Sequence, residues 1–341
     1  MNILYTGAKG FIGGYTIQKF LNEGHTVIGI DNNWKYGPIE KSYDNHPNYK
    51  FFGNDAKNYN GLYELIEGFN IDTFIMGAAL IGGISFFHTI PFDILSENEL
   101  ITSSSFRACI DGYKKGIIKR VIVLSSSMVF ESAFEFPTKE GHQKECPPPI
   151  SSYGFQKLST EYFAKAAFDQ YKLPYTIIRP FNCAGIGEYK AKLDVEIMSG
   201  NVSLAMSHVI PDLIKKILKN QYPLHILGNG NQIRHYTYGG DIANGIYLSS
   251  IKDKALYEDF NLSTDIGHTV LELSHIIWKK IKGDKKFKYI SDTSFQYDVQ
   301  KRIPDTTKAK NILGFNATTS LDSILNETIP WVEKSLEKGL L

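Results

Sequence analysis

Residues 2–6, NILYT, form a short apolar run that passes at once into GAKGFIGG and then into a helical pattern from Phe11 to Leu21. Few architectures accept that order. A buried strand, a glycine-rich turn and a helix in immediate succession predict the opening unit of a parallel α/β sheet, the context in which a glycine motif carries meaning. Gly7, Gly10 and Gly13 fall at G-x-x-G-x-x-G spacing. The first allows a tight turn, the second lets a pyrophosphate approach the backbone, and the third lets the helix pack on the sheet. The start of the helix, at Phe11 and Ile12, offers amide donors and a partial positive charge to phosphates.

A second strand, HTVIGID, ends at Asp31, near the distance expected for a carboxylate that holds the adenosine ribose hydroxyls, with Asn32 next to it. An acid there repels a 2′-phosphate, so NAD is expected rather than NADP. Beyond a third strand at YKFF, Asp55 and Ala56 stand where an adenine-contacting pair would lie. The fourth strand, DTFIMGAAL, runs into Gly77, Ala78 and Ala79, small residues that leave room for a dinucleotide across the sheet. A long helix over roughly 91–115 carries Asn98. The fifth strand, KRVIVLSSS, then brings Ser125, Ser126 and Ser127 to the same sheet edge, where a hydroxyl can hold a reacting alcohol in place.

SSYGFQK, residues 151–157, places Tyr153 and Lys157 four residues apart, on one face of a helix that Ser151 or Ser152 can cap after three prolines. An ammonium beside a phenol favours the phenolate, so Lys157 is expected to lower the Tyr153 pKa and make it a general base for a sugar or alcohol hydroxyl.

Composition narrows the class by exclusion. Lys plus Arg number 37 against 36 Asp plus Glu, a formal charge of +1, which gives no bulk attraction for nucleic acid or anionic membrane. The lysine-dense segment at 279–288 reads as a solvated helix end. Cys109, Cys146 and Cys183 are odd in number and widely spaced, so reduced cytoplasmic thiols are expected, not a disulfide framework or a zinc site. The scattered histidines show no metal-ligand spacing, no signal peptide pattern is visible, and no apolar run reaches the ~20 residues of a membrane span.

Taken together, TGAKGFIG, Asp31, GAA at 77–79, SSSMVF at 125–130 and YGFQK at 153–157 resemble the extended short-chain dehydrogenase/reductase family of nucleotide-sugar epimerases and dehydratases. The resemblance covers nearly the whole chain. It implies a Rossmann-type doubly wound parallel sheet with a smaller C-terminal substrate domain, and a catalytic set of Ser126, Tyr153 and Lys157, with Ser127 as the rival serine. The cofactor side would include Asn32, Asn98 and Pro180 beside the motif residues, with Tyr153 and Lys157 reaching it as well. Asn182 in LPYTIIRPFN resembles the family asparagine that meets the substrate diphosphate, and Arg234 and Arg302 match two arginines that clamp it. Guanidinium meets phosphate oxygens with a paired fork of donors. The expected division is 1–180 with 233–256 for the NAD-binding domain, and 181–232 with 257–341 for the nucleotide-sugar domain. A homodimer through helices at about 91–115 and 153–171 is implied by the same likeness.

The shared chemistry is oxidation of a sugar carbon by NAD while Tyr153 takes the hydroxyl proton. The family's 4,6-dehydratases carry acidic residues where this chain has Ser127 and Met128, and its uronate decarboxylases carry a glutamate that is missing here. AALIGG at 78–83 and SHVIP at 207–211 resemble GDP-mannose 3,5-epimerases and GDP-fucose synthases, whose cysteine position is Met128 and whose partner acid is matched by His208. His208 either contacts substrate or caps the following helix. A 4-epimerase needs no further acid or base and is the expected reaction; a GDP-sugar 3,5-epimerase or 4-oxidoreductase using His208, a 4,6-dehydratase, and a dinucleotide-binding redox sensor without turnover are the alternatives. Base and sugar would be chosen by loops 82–90 and 183–206.

Overall fold

The computed structural model of the chain describes residues 1–82, 89–192, 197–204, 208–294 and 298–341. Gly83 of AALIGG, Ser207 of SHVIP and the central parts of the two loops expected to select base and sugar lie outside the described residues.

The sheet begins with β1 (Asn2–Thr6), β2 (Thr26–Asp31), β3 (Tyr49–Gly53) and β4 (Thr73–Met76). It continues with β5 (Arg120–Leu124) and β6 (Tyr175–Pro180). Helices α1 (Phe11–Asn22), α2 (Tyr59–Gly68), α3 (Pro91–Lys114) and α4 (Ser152–Tyr171) connect them. Central strands such as TFIM and RVIVL are buried throughout, as a parallel sheet covered on both faces requires. Side chains alternate between the two layers. Ile3 and Tyr5 join a core with Ile17, Phe20 and Ile246, whereas Leu4 joins Ile66, Phe106 and Ala164 on the other face.

Past β6 the chain forms α5 (Val209–Leu218), β7 (Leu224–Leu227), α6 (Gly239–Ile251) and β8 (Asp259–Leu262). It ends with α7 (Val270–Lys282), β9 (Tyr289–Asp292) and α8 (Leu321–Glu337). The main sheet has seven strands in the order β8-β6-β5-β4-β1-β2-β3, all parallel. Its last strand therefore comes from residues 259–262, just beyond the 233–256 segment expected to return to it. α5, α7 and α8 enclose a separate apolar core with Leu213, Ile214, Ile226, Leu273, Ile277 and Leu325. Strand order reverses between β1 and β4, so the loops leaving their carboxyl ends part and open a crevice.

Candidate active site

That crevice widens into a cleft of about 760 Å³ that runs from the β1 turn to the second core. Gly7 leaves β1 with φ +79°, and a Cβ there would lie 2.8 Å from the Gly77 oxygen, so only glycine lets the two strand-end loops meet. A Cβ on Gly13 would stand 2.5 Å from the Gly7 oxygen, which fixes how closely α1 approaches the turn. Gly10 is the N-cap of α1 and no side chain blocks its first turn, so Phe11 and Ile12 present that helix end to the cleft.

Asp31 closes β2 with its Oδ2 accepting from the Lys9 amide at 2.9 Å and its Oδ1 from the Asn33 amide at 2.7 Å. Burial pushes its carboxyl above the ordinary range against those two bonds. Asn32 donates to Asp55 Oδ2 at 3.0 Å, and Ala56, Ala78 and Ala79 complete this wall. Asn98 stands one layer behind. Its amide accepts from the Leu80 N–H at 2.6 Å and donates to the Leu80 carbonyl at 3.0 Å, so it shapes the loop after β4 and does not line the cleft.

Ser151 caps α4, accepting from the Gly154 amide at 3.0 Å, and is held in turn by Glu131. Tyr153 and Lys157 are both buried on the face of that helix turned to β5. Ser126 stands close enough to the Tyr153 phenol to favour its ionised form, and its Oγ accepts from the Met128 amide at 3.2 Å. Ser127 lines the same wall, but it is Ser126 that the structure brings to the phenol. The expected effect of Lys157 on that phenol is corrected. Burial pushes Tyr153 above its ordinary value, and Ser126 and the charge of Arg302 are what oppose it. Lys157 is itself brought down to about 8 by burial, with Glu161 opposing, and its Nζ donates to the Leu124 carbonyl.

Asn182 follows β6 with φ +37° and Pro180 beside it, both on the cleft wall. Arg234 meets Asp298 at 3.2 Å. Arg302 places Nη2 2.7 Å from the Met128 sulfur, and its buried Nε finds no hydrogen-bond partner among the described residues. Burial, then repulsion from Arg234, lowers Arg302 to about 9. Two partly compensated guanidinium groups side by side suit a ligand with two negative charges.

His208 is the N-cap residue of α5 but makes no side-chain cap bond. Its Nδ1 bonds the buried Glu188 instead. Burial alone would raise Glu188, yet His208 and then Lys35 hold it below the ordinary carboxylate range. Sequence reasoning passed over Glu188, Lys35 and Glu131, which sit in loops with no periodic pattern to single them out. Among the described residues, no cluster of His, Cys, Asp and Glu could hold a metal ion, and no helix is long and apolar enough to cross a membrane.

A glycine turn at the reversal point of a parallel sheet, facing a phenol and an ammonium from the next crossover, defines a dinucleotide-dependent enzyme of the Rossmann type. The chain belongs to the NAD dependent epimerase/dehydratase family, whose model matches residues 3–263. NAD is its cofactor. Similar proteins include a UDP-glucuronate 4-epimerase of Thermodesulfobacterium geofontis, 26% identical with 98% of this chain and 97% of that one covered. Zebrafish (Danio rerio) UDP-glucuronic acid decarboxylase 1 is 25% identical, over 98% of this chain and 73% of its own. A UDP-glucose 4-epimerase of Thermotoga maritima, solved with UDP-glucose, superposes with a TM-score of 0.81 at 27% identity, covering 98% of this chain and 100% of that one. These relatives differ in reaction, so likeness alone leaves the chemistry at the level of the family.

Proposed function

We propose that the chain is an NAD-dependent nucleotide-sugar 4-epimerase. The observation that carries this reading is Ser126 and Tyr153 on one wall of the cleft at the strand ends, with Met128 packed beside Tyr153 at the position where proton-transferring relatives would need an acid. Bound NAD supplies the acceptor that takes hydride from C4 and gives it back. Ser126 holds the C4 hydroxyl, and Tyr153, whose ionised form burial opposes and the Arg302 charge favours, takes the hydroxyl proton as the carbon is oxidised and returns it on reduction. Lys157 keeps positive charge beneath the phenol. Asn182, Arg234 and Arg302 hold the diphosphate, so the keto-sugar can turn and present its other face without leaving. No further acid or base is consumed.

The Glu188–His208 pair supports a second reading. A carboxylate on Nδ1 leaves Nε2 as the proton-accepting atom, which suits enolisation beside a 4-keto group. Exposed Phe92, Leu100, Phe155 and Tyr162 on α3 and α4 support a homodimer through those helices, and three free thiols suit the cytoplasm.

The test incubates the protein with UDP-, GDP-, CDP- and dTDP-sugars in heavy water, read by mass spectrometry and NMR. An isomer of unchanged mass supports 4-epimerisation. Deuterium on a ring carbon transfers the reading to His208, and loss of water or of two hydrogens removes both.

A further inference from the structure

Three consecutive residues at the end of β5 are held by three residues of α4 spaced one helical turn apart. Ser126 meets Tyr153, the Leu124 carbonyl accepts from Lys157 at 2.9 Å, and the Ser125 hydroxyl donates to Glu161 Oε1 at 2.6 Å. The first two contacts belong to the site already described. The third is unassigned, and Glu161 is only 6% exposed.

Burying a carboxylate this deeply is costly unless every lone pair is met. Oε1 also accepts from Arg179 Nε at 2.7 Å, while Oε2 accepts from Arg179 Nη2 at 2.7 Å and from Gln143 at 3.2 Å. Arg179, on β6, is fully buried and is tied in turn to Asp259 of β8 at 2.7 Å. One carboxylate thus joins α4, the loop after β5 and β6, and through Arg179 reaches the edge strand.

We propose that Glu161 is a positioning residue for the reaction: it fixes the serine loop against the catalytic face of α4 and keeps Lys157 charged. The inference rests on the roles given to Tyr153 and Lys157 but not on the identity of the sugar.

The charges around Lys157 make the second part testable. Glu161 and Tyr153 lie on its own helix, Arg302 reaches Tyr153 from the C-terminal segment, and Arg179 and Asp259 stand behind Glu161 from β6 and β8. From β5 it meets only the Leu124 carbonyl, and Asn98 and Thr102 of α3 border the same small recess without charge. Of these, Glu161 is the carboxylate that acts on Lys157, offsetting the burial that brings it to about 8.

NADH binding to the full chain, followed by fluorescence from about pH 6 to about pH 10, reads Lys157 without any sugar present. A wild-type inflection that Lys157→Met abolishes is expected to move down by about one pH unit in Glu161→Gln, because the neutral amide no longer favours the ammonium. Should that variant fail to fold, Glu161→Gln with Arg179→Met removes the carboxylate together with its buried cation and leaves Asp259 paired with Lys308. It is expected to move the inflection in the same direction by a smaller amount, because the lost cation partly offsets the lost carboxylate. Ser125→Ala leaves the ion pair intact and separates the two effects: turnover falls about tenfold to a hundredfold while the inflection stays. An inflection absent from the wild type, or unmoved in Glu161→Gln and its paired form, overturns the charge role. Wild-type turnover retained in Ser125→Ala overturns the positioning role. If no sugar is turned over by the wild type, the proposed reaction fails while the NADH titration still decides the charge role.

Discussion

Lys157 donates its ammonium to the Leu124 carbonyl at 2.9 Å, and that bond fastens the catalytic helix to the end of β5 independently of the phenol one turn earlier. Because the anchor does not pass through the Tyr153 oxygen, Tyr153→Phe is expected to keep the fold and NADH binding. Turnover should fall by roughly 10²- to 10⁴-fold, the usual contribution of a positioned acid or base. Melting temperature, NADH titration and a product assay check the three parts. A loss smaller than tenfold would remove Tyr153 from the chemistry.

Asp31 holds the Lys9 and Asn33 amides with separate oxygens, so its charge is aimed while its neutral isostere can keep only part of that geometry. Asp31→Asn is expected to weaken NADH binding about tenfold, the equivalent of ~1.4 kcal/mol. Binding of NADPH should improve, since repulsion of the 2′-phosphate is gone. Parallel fluorescence titrations with the two cofactors measure both changes. Equal losses for both would show that Asp31 supports the loop without selecting the cofactor.

Arg302 carries a buried Nε without a hydrogen-bond partner among the described residues and stands beside a second guanidinium, an arrangement that favours a ligand over the free protein. Arg302→Met is therefore expected to leave stability unchanged or raise it, because replacing a poorly paired buried charge is often neutral or favourable. UDP binding should weaken by about 10- to 100-fold, matching the ~1.5–3 kcal/mol of a charged hydrogen bond. Urea unfolding and calorimetric titration with UDP give the two numbers, and a destabilised variant with undiminished UDP affinity is the contrary result.

Asp259 lies between Arg179 and Lys308. Burial pushes its carboxyl up, but the two cations outweigh burial and hold it at about 2 against an ordinary 3.8. A carboxyl lowered by folding stabilises the protein fully above the unfolded value and loses that stability as pH falls toward the folded one. Asp259→Asn should cost about 2 kcal/mol near neutral pH, and the gap to wild type should close between about pH 4 and about pH 2. Urea unfolding at stepped pH tests this; a gap independent of pH would place the effect in packing.

Short-range order in the chain determined the fold and half of the site. Gly7, Gly10 and Gly13 after a buried strand, Asp31 at the next strand end, and Tyr153 with Lys157 behind a serine cap each fix local geometry by spacing alone, and the structure places them along one cleft. What spacing does not encode is the company each group keeps across the fold. Only the packed sheet decided that burial would outweigh charge at Tyr153, that Lys157 would bond a backbone carbonyl, and that Asn98 would stand behind the cleft wall. The same holds for Glu188 beneath His208 and for Glu161 between Ser125 and Arg179, pairs separated by 20, 36 and 18 residues. Desolvation and long-range pairing depend on which surfaces meet, and that is settled only when the strands are in register and the helices lie on them.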